Sequence, residues 1–324
     1  MAEEIVSKKK YEFIEEVPGI GPSTAKKLRE LGFQTVESLA MATIRELEQA
    51  GIGEKKAFEI IEAARSSISL SFIRGDELLK MRQNVLRLTT GSKKIDELLG
   101  GGLETQTITE FYGEYGSGKS QVAHQLCINV QLPVERGGLN GGALYIDTEN
   151  TFRTERIVQM ARYLGLDPEE VVRNITIAEA YTSDHQMFLL ENSDQIIKEN
   201  NILLIIIDSL TAHFRSEYLG RESLALRQQR LNKHMHKLIR LARAFNAVAF
   251  VTNQVMASPD VFFGDPIRPI GGHVVGHTSH TRVFLRKSSS GPTRIARLVS
   301  SPYLPEGERT FKITENGIED VVEE

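Results

Sequence analysis

The segment GEYGSGKS, from Gly113 to Ser120, sets two further glycines, Gly116 and Gly118, ahead of a lysine and a serine. The spacing G-x-x-x-x-G-K-[ST] suits a loop whose backbone N–H groups close on phosphate oxygens, provided a strand precedes it and a helix follows. The flanking pattern meets both conditions. On this reading Gly113, Glu114, Tyr115, Gly116, Ser117, Gly118, Lys119, Ser120 and Gln121 form a nucleotide cradle. Lys119 neutralises the β- and γ-phosphates, and Ser120 ligates Mg2+. The competing reading is a plain glycine turn that happens to precede a helix, which leaves the Lys-Ser pair without a reason.

Two further carboxylates fall where such a site needs them. The apolar run ILLIIIDS delivers Asp208 at the C-terminal end of a strand, where open α/β sheets place ligand chemistry, and Asp208 is expected to hold Mg2+ through water. Taken alone, an Asp at that position could equally cap a helix. The run ALYIDTE brings Asp147 and Glu149 to the same rim. Glu149 is the candidate base that orients and deprotonates the water attacking the γ-phosphate, and a solvated loop carboxylate is the alternative.

Such a rim needs strands and helices in alternation, and the chain has them from Leu86 onward, which argues for an α/β fold with a mainly parallel sheet. The expected strands lie in TQTITEFYG, GALYIDTE, ILLIIIDS and AVAFVTNQ, the third near the centre because of its continuous apolarity. Leu231, Met235, Leu238, Ala242 and Phe245 recur at helical spacing, and the C-terminal part reads as short antiparallel strands. Ahead of this core Gly-Ile-Gly occurs at 19–21 and again at 51–53, each followed by a lysine pair and an apolar helical pattern. Ala25, Leu28 and Leu31 share one face; Ala57, Ile60, Ile61 and Ala64 share another. Two helix-hairpin-helix units forming a small all-α domain are expected over residues 1–66, a linker over 67–85 and the core over 86–324.

The chain has 324 residues, a net charge of −4, a quarter of its residues charged and no Trp. No apolar run approaches the roughly 20 residues that span a bilayer, so no membrane role is expected. The start carries charges of both signs and no secretory pattern, and the single Cys127 reads as a buried thiol in a reducing, cytoplasmic setting. Nucleic-acid contact must come from local basic patches. One such patch holds Arg215, Arg221, Arg227, Arg230, Lys233, Lys237, Arg240 and Arg243 against Glu217 and Glu222. Lys237, Arg240 and Arg243 are assigned to a solvated helix face.

The glycine loop, YIDTENTFRTERI, IIIDS, RQQRLNKH and TNQV followed by PIGGH, in that order and behind paired helix-hairpin-helix units, closely resemble the archaeal RadA recombinases of the RecA superfamily. The likeness runs from about residue 15 to about 320. It implies a RecA-like P-loop ATPase core and an ATP-dependent homo-oligomeric filament that assembles on single-stranded DNA, searches double-stranded DNA and exchanges strands. It also implies mediator proteins as partners and a cytoplasmic, nucleoid-associated location. Two other readings on the same core remain: an accessory paralogue that binds ATP without exchanging strands, and a ring-forming helicase.

Residue by residue, the resemblance makes Glu149 the catalytic glutamate and sets Arg156 and Gln159 beside the adenine. Gln254 becomes the sensor of the γ-phosphate. Arg215, Arg221 and Arg227 contact DNA phosphates from a first loop. Met256 to about Ile270 resemble a second, with Phe262 and Phe263 able to stack on bases and Gly271 and Gly272 permitting the turn to His273. Phe72 matches the aromatic that plugs a neighbouring protomer, although Gly75 stands where relatives often carry Ala. Hairpin amides at both Gly-Ile-Gly turns, with Lys26 and Lys27, are implied DNA contacts. Pro305, Glu306 and His273 match the cap on the neighbour's ATP and its cation. Ser300 replaces an aspartate of that cap, which leaves K+ beside Mg2+ as an open alternative. Asn150 replaces a glycine after Glu149, and Asn is the side chain that best tolerates a positive φ there.

Overall fold

The computed structural model describes residues 11, 13–31, 33, 35–67, 74–257, 267–289 and 291–321. The chain divides into two compact units, Met1–Met81 and Arg82–Glu324.

In the first unit the helices Pro22–Glu30, Val36–Ala40, Ile44–Gln49 and Glu54–Ser67 enclose a core that includes Leu28, Leu39, Leu47, Ile60 and Ile61. The two Gly-Ile-Gly turns echo each other for a backbone reason. Gly19 and Gly51 have φ of +89° and +75°, a region L side chains resist, and the isoleucine between each glycine pair is buried. Ala57, Ile60, Ile61 and Ala64 share a buried face as expected. Leu31 does not join Ala25 and Leu28. It is the C-cap residue after Pro22–Glu30, outside the helical register, and is 43% exposed. The helix Gly75–Met81 follows, with its apolar Leu78 and Leu79 exposed.

The second unit opens with β1 (Arg87–Leu88) paired antiparallel to β2 (Leu103–Glu104). Its main sheet comprises β3 (Ile108–Gly113), β4 (Gly142–Asp147), β5 (Ile175–Glu179), β6 (Ile202–Asp208), β7 (Val248–Ala257), β8 (Ile267–Pro269), β9 (Thr281–Lys287), β10 (Thr293–Ser300), β11 (Gly307–Thr314) and β12 (Gly317–Asp320). The order is β12-β11-β10-β9-β3-β7-β6-β4-β5, with β8 antiparallel to the end of β7. From β9 to β5 every pairing is parallel, and from β9 to β12 the strands form an antiparallel meander.

Both faces of the parallel part are covered, which is why its strands read as apolar runs. Leu204 and Ile206 pack under the helices Lys119–Asn129 and Thr154–Tyr163, while Ile205 and Ile207 pack against Leu231, Met235 and Leu238 of the helix Leu224–Ala244. The strand expected near the centre, β6, is an interior strand between β7 and β4. Strand β5 carries no expectation from sequence: it is a sheet edge with alternating exposure, and Ile177 is 40% exposed. Cys127 is buried.

Candidate nucleotide-binding site

Because β3, β4, β6 and β7 run parallel, their C-terminal ends share one rim, with Gly113 in register with Gln254 and Asp147 with Asp208. The loop after β3 turns into the helix Lys119–Asn129 through Gly116 and Gly118, whose φ values are +73° and +107°. At Gly118 the φ of +107° disfavours any side chain, and a Cβ would also lie 2.3 Å from Ile313 Cδ1 on β11. Gly118 is the N-cap and offers no capping side chain. The first helical N–H groups are therefore available to an anion, with the helix dipole in its favour. Ser117 is buried, Glu114 and Tyr115 are exposed, and Ser120 and Gln121 lie in the first turn. Lys119 Nζ donates to the carbonyls of Gly113 and Glu114, at 2.9 Å each. Desolvation holds its ammonium below the ordinary lysine range, opposed by the Asp208 and Glu149 carboxylates.

Asp208 is only 4% exposed and has no ion-pair partner among the described residues. The Tyr145 hydroxyl donates to its Oδ2 at 2.5 Å, and the Thr252 hydroxyl donates to its Oδ1. Two neutral donors leave the buried carboxylate with its charge unmatched except by Lys119 nearby. Among the described residues no group of three or more His, Cys, Asp or Glu forms a metal cage. The donor set fits Mg2+, which keeps several waters and takes few protein ligands alongside phosphate oxygens. Ser120 and, through water, Asp208 would hold it, and a cation there would screen the charge of the transferring phosphate.

Asp147 is occupied with its own turn. It accepts the N–H groups of Glu149 at 3.1 Å and Phe152 at 2.8 Å, and Asn150 takes φ +52° inside that turn. Asparagine is among the few non-glycine residues that take this left-handed backbone readily. Thr148 and Ser209 exchange hydrogen bonds of 2.9 and 2.8 Å, which fasten the ends of β4 and β6 together. Glu149 is left projecting along the rim, where Gln254 Nε2 donates to its Oε1. Desolvation, and then the Asp208 carboxylate, push the Glu149 carboxyl above the usual carboxylate range, against the Gln254 bond and the Lys119 charge. The result is a more basic carboxylate in contact with a side chain that can report what lies beside it.

At the other end of the cradle, Arg156 gathers what sequence placed together. Its guanidinium donates to Gln121 Oε1 at 2.8 Å, to Gln159 Oε1 at 2.6 Å and to the carbonyls of Thr314 and Glu315 at 2.6 Å. Beneath it His124 is buried and stacked on Phe152, 5.0 Å between centroids, and its Nε2 accepts the Arg153 N–H. Burial holds this imidazole below its ordinary range, so it is neutral, with Nδ1 donating to the Ser120 carbonyl.

The basic residues downstream separate into two kinds. Arg230 pairs with Asp184, Lys233 with Glu191 at 3.0 Å and Lys237 with Asp194 at 2.7 Å. Lys237 is therefore not a solvated cation; its side chain is 18% exposed and committed to an ion pair. Arg215 and Arg221 are exposed, and neither has an ion-pair partner among the described residues. Arg227 is half-buried, and its Nε makes no hydrogen bond among them. The second loop is narrower than expected, since Val255–Ala257 and Ile267–Pro269 pair as an antiparallel ribbon that also carries the exposed Arg268. Gly271, at φ +97°, starts the helix Gly272–Thr278, where a Cβ on it would lie 2.4 Å from Val275 Cγ2. His273 is exposed and stacks on His277. Pro305 and Glu306 are exposed, and Glu306 pairs with Arg297 at 3.4 Å. Phe72, Phe262 and Phe263 lie outside the described residues.

A family profile described as Rad51 matches residues 81–321. The chain belongs to the Rad51 family. A second profile, described as a SAM-like helix-hairpin-helix tandem, matches residues 11–66. This Rad51-family chain is 52% identical over 314 residues to the DNA repair and recombination protein RadA of Aeropyrum pernix, covering 97% of this chain and 98% of that one. It is 51% identical over 325 residues to the protein of the same name from Ignicoccus hospitalis, covering 99% of each. Sequence reasoning missed Tyr145 and Thr252, the hydroxyl donors to Asp208. In the Rad51-family core their signal is strand alternation: Tyr145 shares a face with Asp147, which is in register with Asp208.

Proposed function

We propose that the chain is a DNA-dependent ATPase and recombinase that forms homo-oligomeric filaments on single-stranded DNA and carries out homologous pairing and strand exchange with double-stranded DNA. The observation that supports this best is the convergence of Lys119, Ser120, Asp208, Glu149 and Gln254 on one rim, in a chain matched over nearly its whole length by RadA proteins. The glycine-loop amides and Lys119 bind and orient the triphosphate of ATP, with Gln121, Arg156 and Gln159 toward the base. Glu149, deprotonated and more basic than usual, takes the proton of the attacking water, and Gln254 fixes the orientation of its carboxylate. Bound Mg2+ supplies charge stabilisation to the phosphates.

Arg215, Arg221 and Arg227 contact DNA phosphates, which serves an enzyme that must accept any sequence. Residues 1–66 act as a helix-hairpin-helix DNA-contacting domain, 67–85 as a linker carrying the Phe72 anchor, and 86–324 as the ATPase core. Pro305, Glu306 and His273 cap the ATP of a neighbouring protomer. K+ stands as an alternative second cation: Ser300 offers no carboxylate, and Glu306, in an exposed pair with Arg297, retains one in the same segment. No helix among the described residues is long and apolar enough to cross a membrane. Action in the cytoplasm, on nucleoid DNA and with recombination mediators, follows from the same reading.

A strand-exchange assay with matched Lys119→Ala and Phe72→Ala variants tests it. Both should lose exchange, the first with loss of nucleotide binding and the second with loss of filaments but retained nucleotide. A wild-type chain that binds ATP and single-stranded DNA yet exchanges no strands overturns the recombinase assignment.

A further inference from the structure

Strand β7 carries three consecutive polar residues, Thr252, Asn253 and Gln254, ahead of the part that forms the ribbon with β8, and the strand period sends their side chains to alternate faces of the sheet. Thr252 and Gln254 point to the glycine-loop face, where they bind Asp208 and Glu149. Asn253, 0% exposed, points the other way. Its Nδ2 donates to Glu110 Oε1 at 2.8 Å and to the Ile270 carbonyl at 2.6 Å, while its Oδ1 accepts the Thr211 hydroxyl at 2.7 Å. That pattern uses both amide N–H groups and admits one orientation of the amide. Glu110, also 0% exposed, is held in turn by Arg282 Nε at 2.7 Å.

The groups that Asn253 holds are roots of the segments read above as DNA contacts. Thr211 immediately precedes the helix Ala212–Glu217 with Arg215, and Ile270 immediately precedes Gly271 and the helix Gly272–Thr278. Backbone bonds repeat the connection: Leu210 N–H to the Thr252 carbonyl at 2.9 Å, and Ile270 N–H to the Gln254 carbonyl at 3.0 Å. A displacement of either root must move Asn253 or leave a buried polar group unpaired, which is strongly disfavoured. Its sequence neighbours on both sides touch the two carboxylates of the nucleotide rim.

We propose that Asn253, braced by the Glu110–Arg282 pair, is the positioning residue through which DNA contact at the segments rooted on Thr211 and Ile270 is linked to nucleotide contact at Glu149 and Gln254. The proposal rests on the reading of those segments as DNA contacts. Linkage is reciprocal: if ATP tightens DNA binding by some factor, DNA tightens ATP binding by the same factor.

The test is the affinity of the full chain for a single-stranded oligonucleotide with and without a non-hydrolysable ATP analogue, alongside the affinity for a fluorescent ATP analogue alone. In the wild type the ATP analogue should tighten DNA binding by about tenfold or more. Asn253→Ala should bring that ratio below about twofold while nucleotide affinity alone stays within about threefold. Because Asn253→Ala deletes three buried hydrogen bonds and can unfold the chain, Thr211→Val provides the milder variant. It removes one hydroxyl at nearly constant volume and should lower the ratio about threefold, and Thr211→Ser, which keeps the hydroxyl, should restore it. A wild-type ratio in Thr211→Val and in folded Asn253→Ala overturns the proposal and leaves the DNA assignment standing. A wild type whose DNA affinity ignores the nucleotide overturns the linkage, and one that binds no oligonucleotide overturns the DNA assignment as well.

Discussion

Two carboxylates are buried on opposite faces of this sheet, and they are treated differently. Glu110, on the face of the helix Leu224–Ala244, is matched by Arg282 at 2.7 Å and by the Asn253 amide. Asp208, on the glycine-loop face, receives only the neutral hydroxyls of Tyr145 and Thr252, while Lys119 spends its hydrogen bonds on loop carbonyls. A buried charge whose partners are all in place belongs to the frame. One held by neutral donors, near a cation bonded only to neutral carbonyls, retains capacity for a ligand of opposite charge. Both are polar residues in apolar strands, and the difference between them is the difference between architecture and chemistry.

The contrast breaks most visibly in stability. Glu110→Ala leaves the half-buried Arg282 and the Asn253 amide without their partner and should cost about 3 kcal/mol, read as a shift of the denaturant midpoint at unchanged slope. Asp208→Asn, which keeps an acceptor for a hydroxyl, should cost only about 1 kcal/mol in the same experiment yet lose Mg2+-dependent nucleotide binding. Equal destabilisation by the two would erase the distinction. A second test sharpens the chemical side. Glu149→Gln should lower ATP turnover by about a hundredfold or more with nucleotide affinity retained. As the proposed base Glu149 must be deprotonated, so turnover in the wild type should fall as pH drops through its pKa, at a higher pH than an ordinary carboxylate gives. A flat profile down to the usual Glu range removes Glu149 from that role.

The structural face also makes a pH prediction. His234, 1% exposed beside Gln186, is pushed down to about 3 by burial. Its folded form is neutral, whereas the unfolded chain takes up the proton near the ordinary His value of about 6.5. His234 therefore contributes stability that is fully present above about pH 6.5 and is lost as pH falls toward about 3, with a slope of at most ~1.4 kcal/mol per pH unit. His234→Gln should flatten that part of the stability profile; an unchanged slope assigns it elsewhere. The smallest effect concerns the surface. Arg221→Ala should weaken DNA binding a few-fold and reduce the log-affinity versus log-salt slope by about one, whereas Lys233→Ala, whose charge already pairs with Glu191, should leave the slope unchanged.

What sequence made legible follows the range of the interactions. The glycine loop is local: its motif marks Gly118, which takes φ +107°, while Gly116, at φ +73°, falls on a position the motif leaves open. Asp208 and Glu149 were legible because an apolar strand ending in an acid is also local. Tyr145 and Thr252 were not, since their relation to Asp208 depends on the register of β4, β6 and β7. The Glu110–Arg282 pair spans 172 positions and could not be read from either residue alone. Edge strand β5 escaped because its exposed alternate residues dilute the apolar signal. Lys237 was assigned to solvent because its partner Asp194 lies on a different helix. Leu31 was counted on a helical face although its helix had already ended.

The buried cysteine also has a practical consequence. Cys127 is the chain's single thiol, it is enclosed in the helix behind the glycine loop, and burial drives its ionisation up. Maleimide reagents attack exposed thiolates, so the native chain is close to silent toward them without any residue being removed. A cysteine introduced at an exposed position such as Ser216 or His277 would carry the only reactive handle, and a fluorophore attached there would report on the segment after Thr211 or on the one after Ile270.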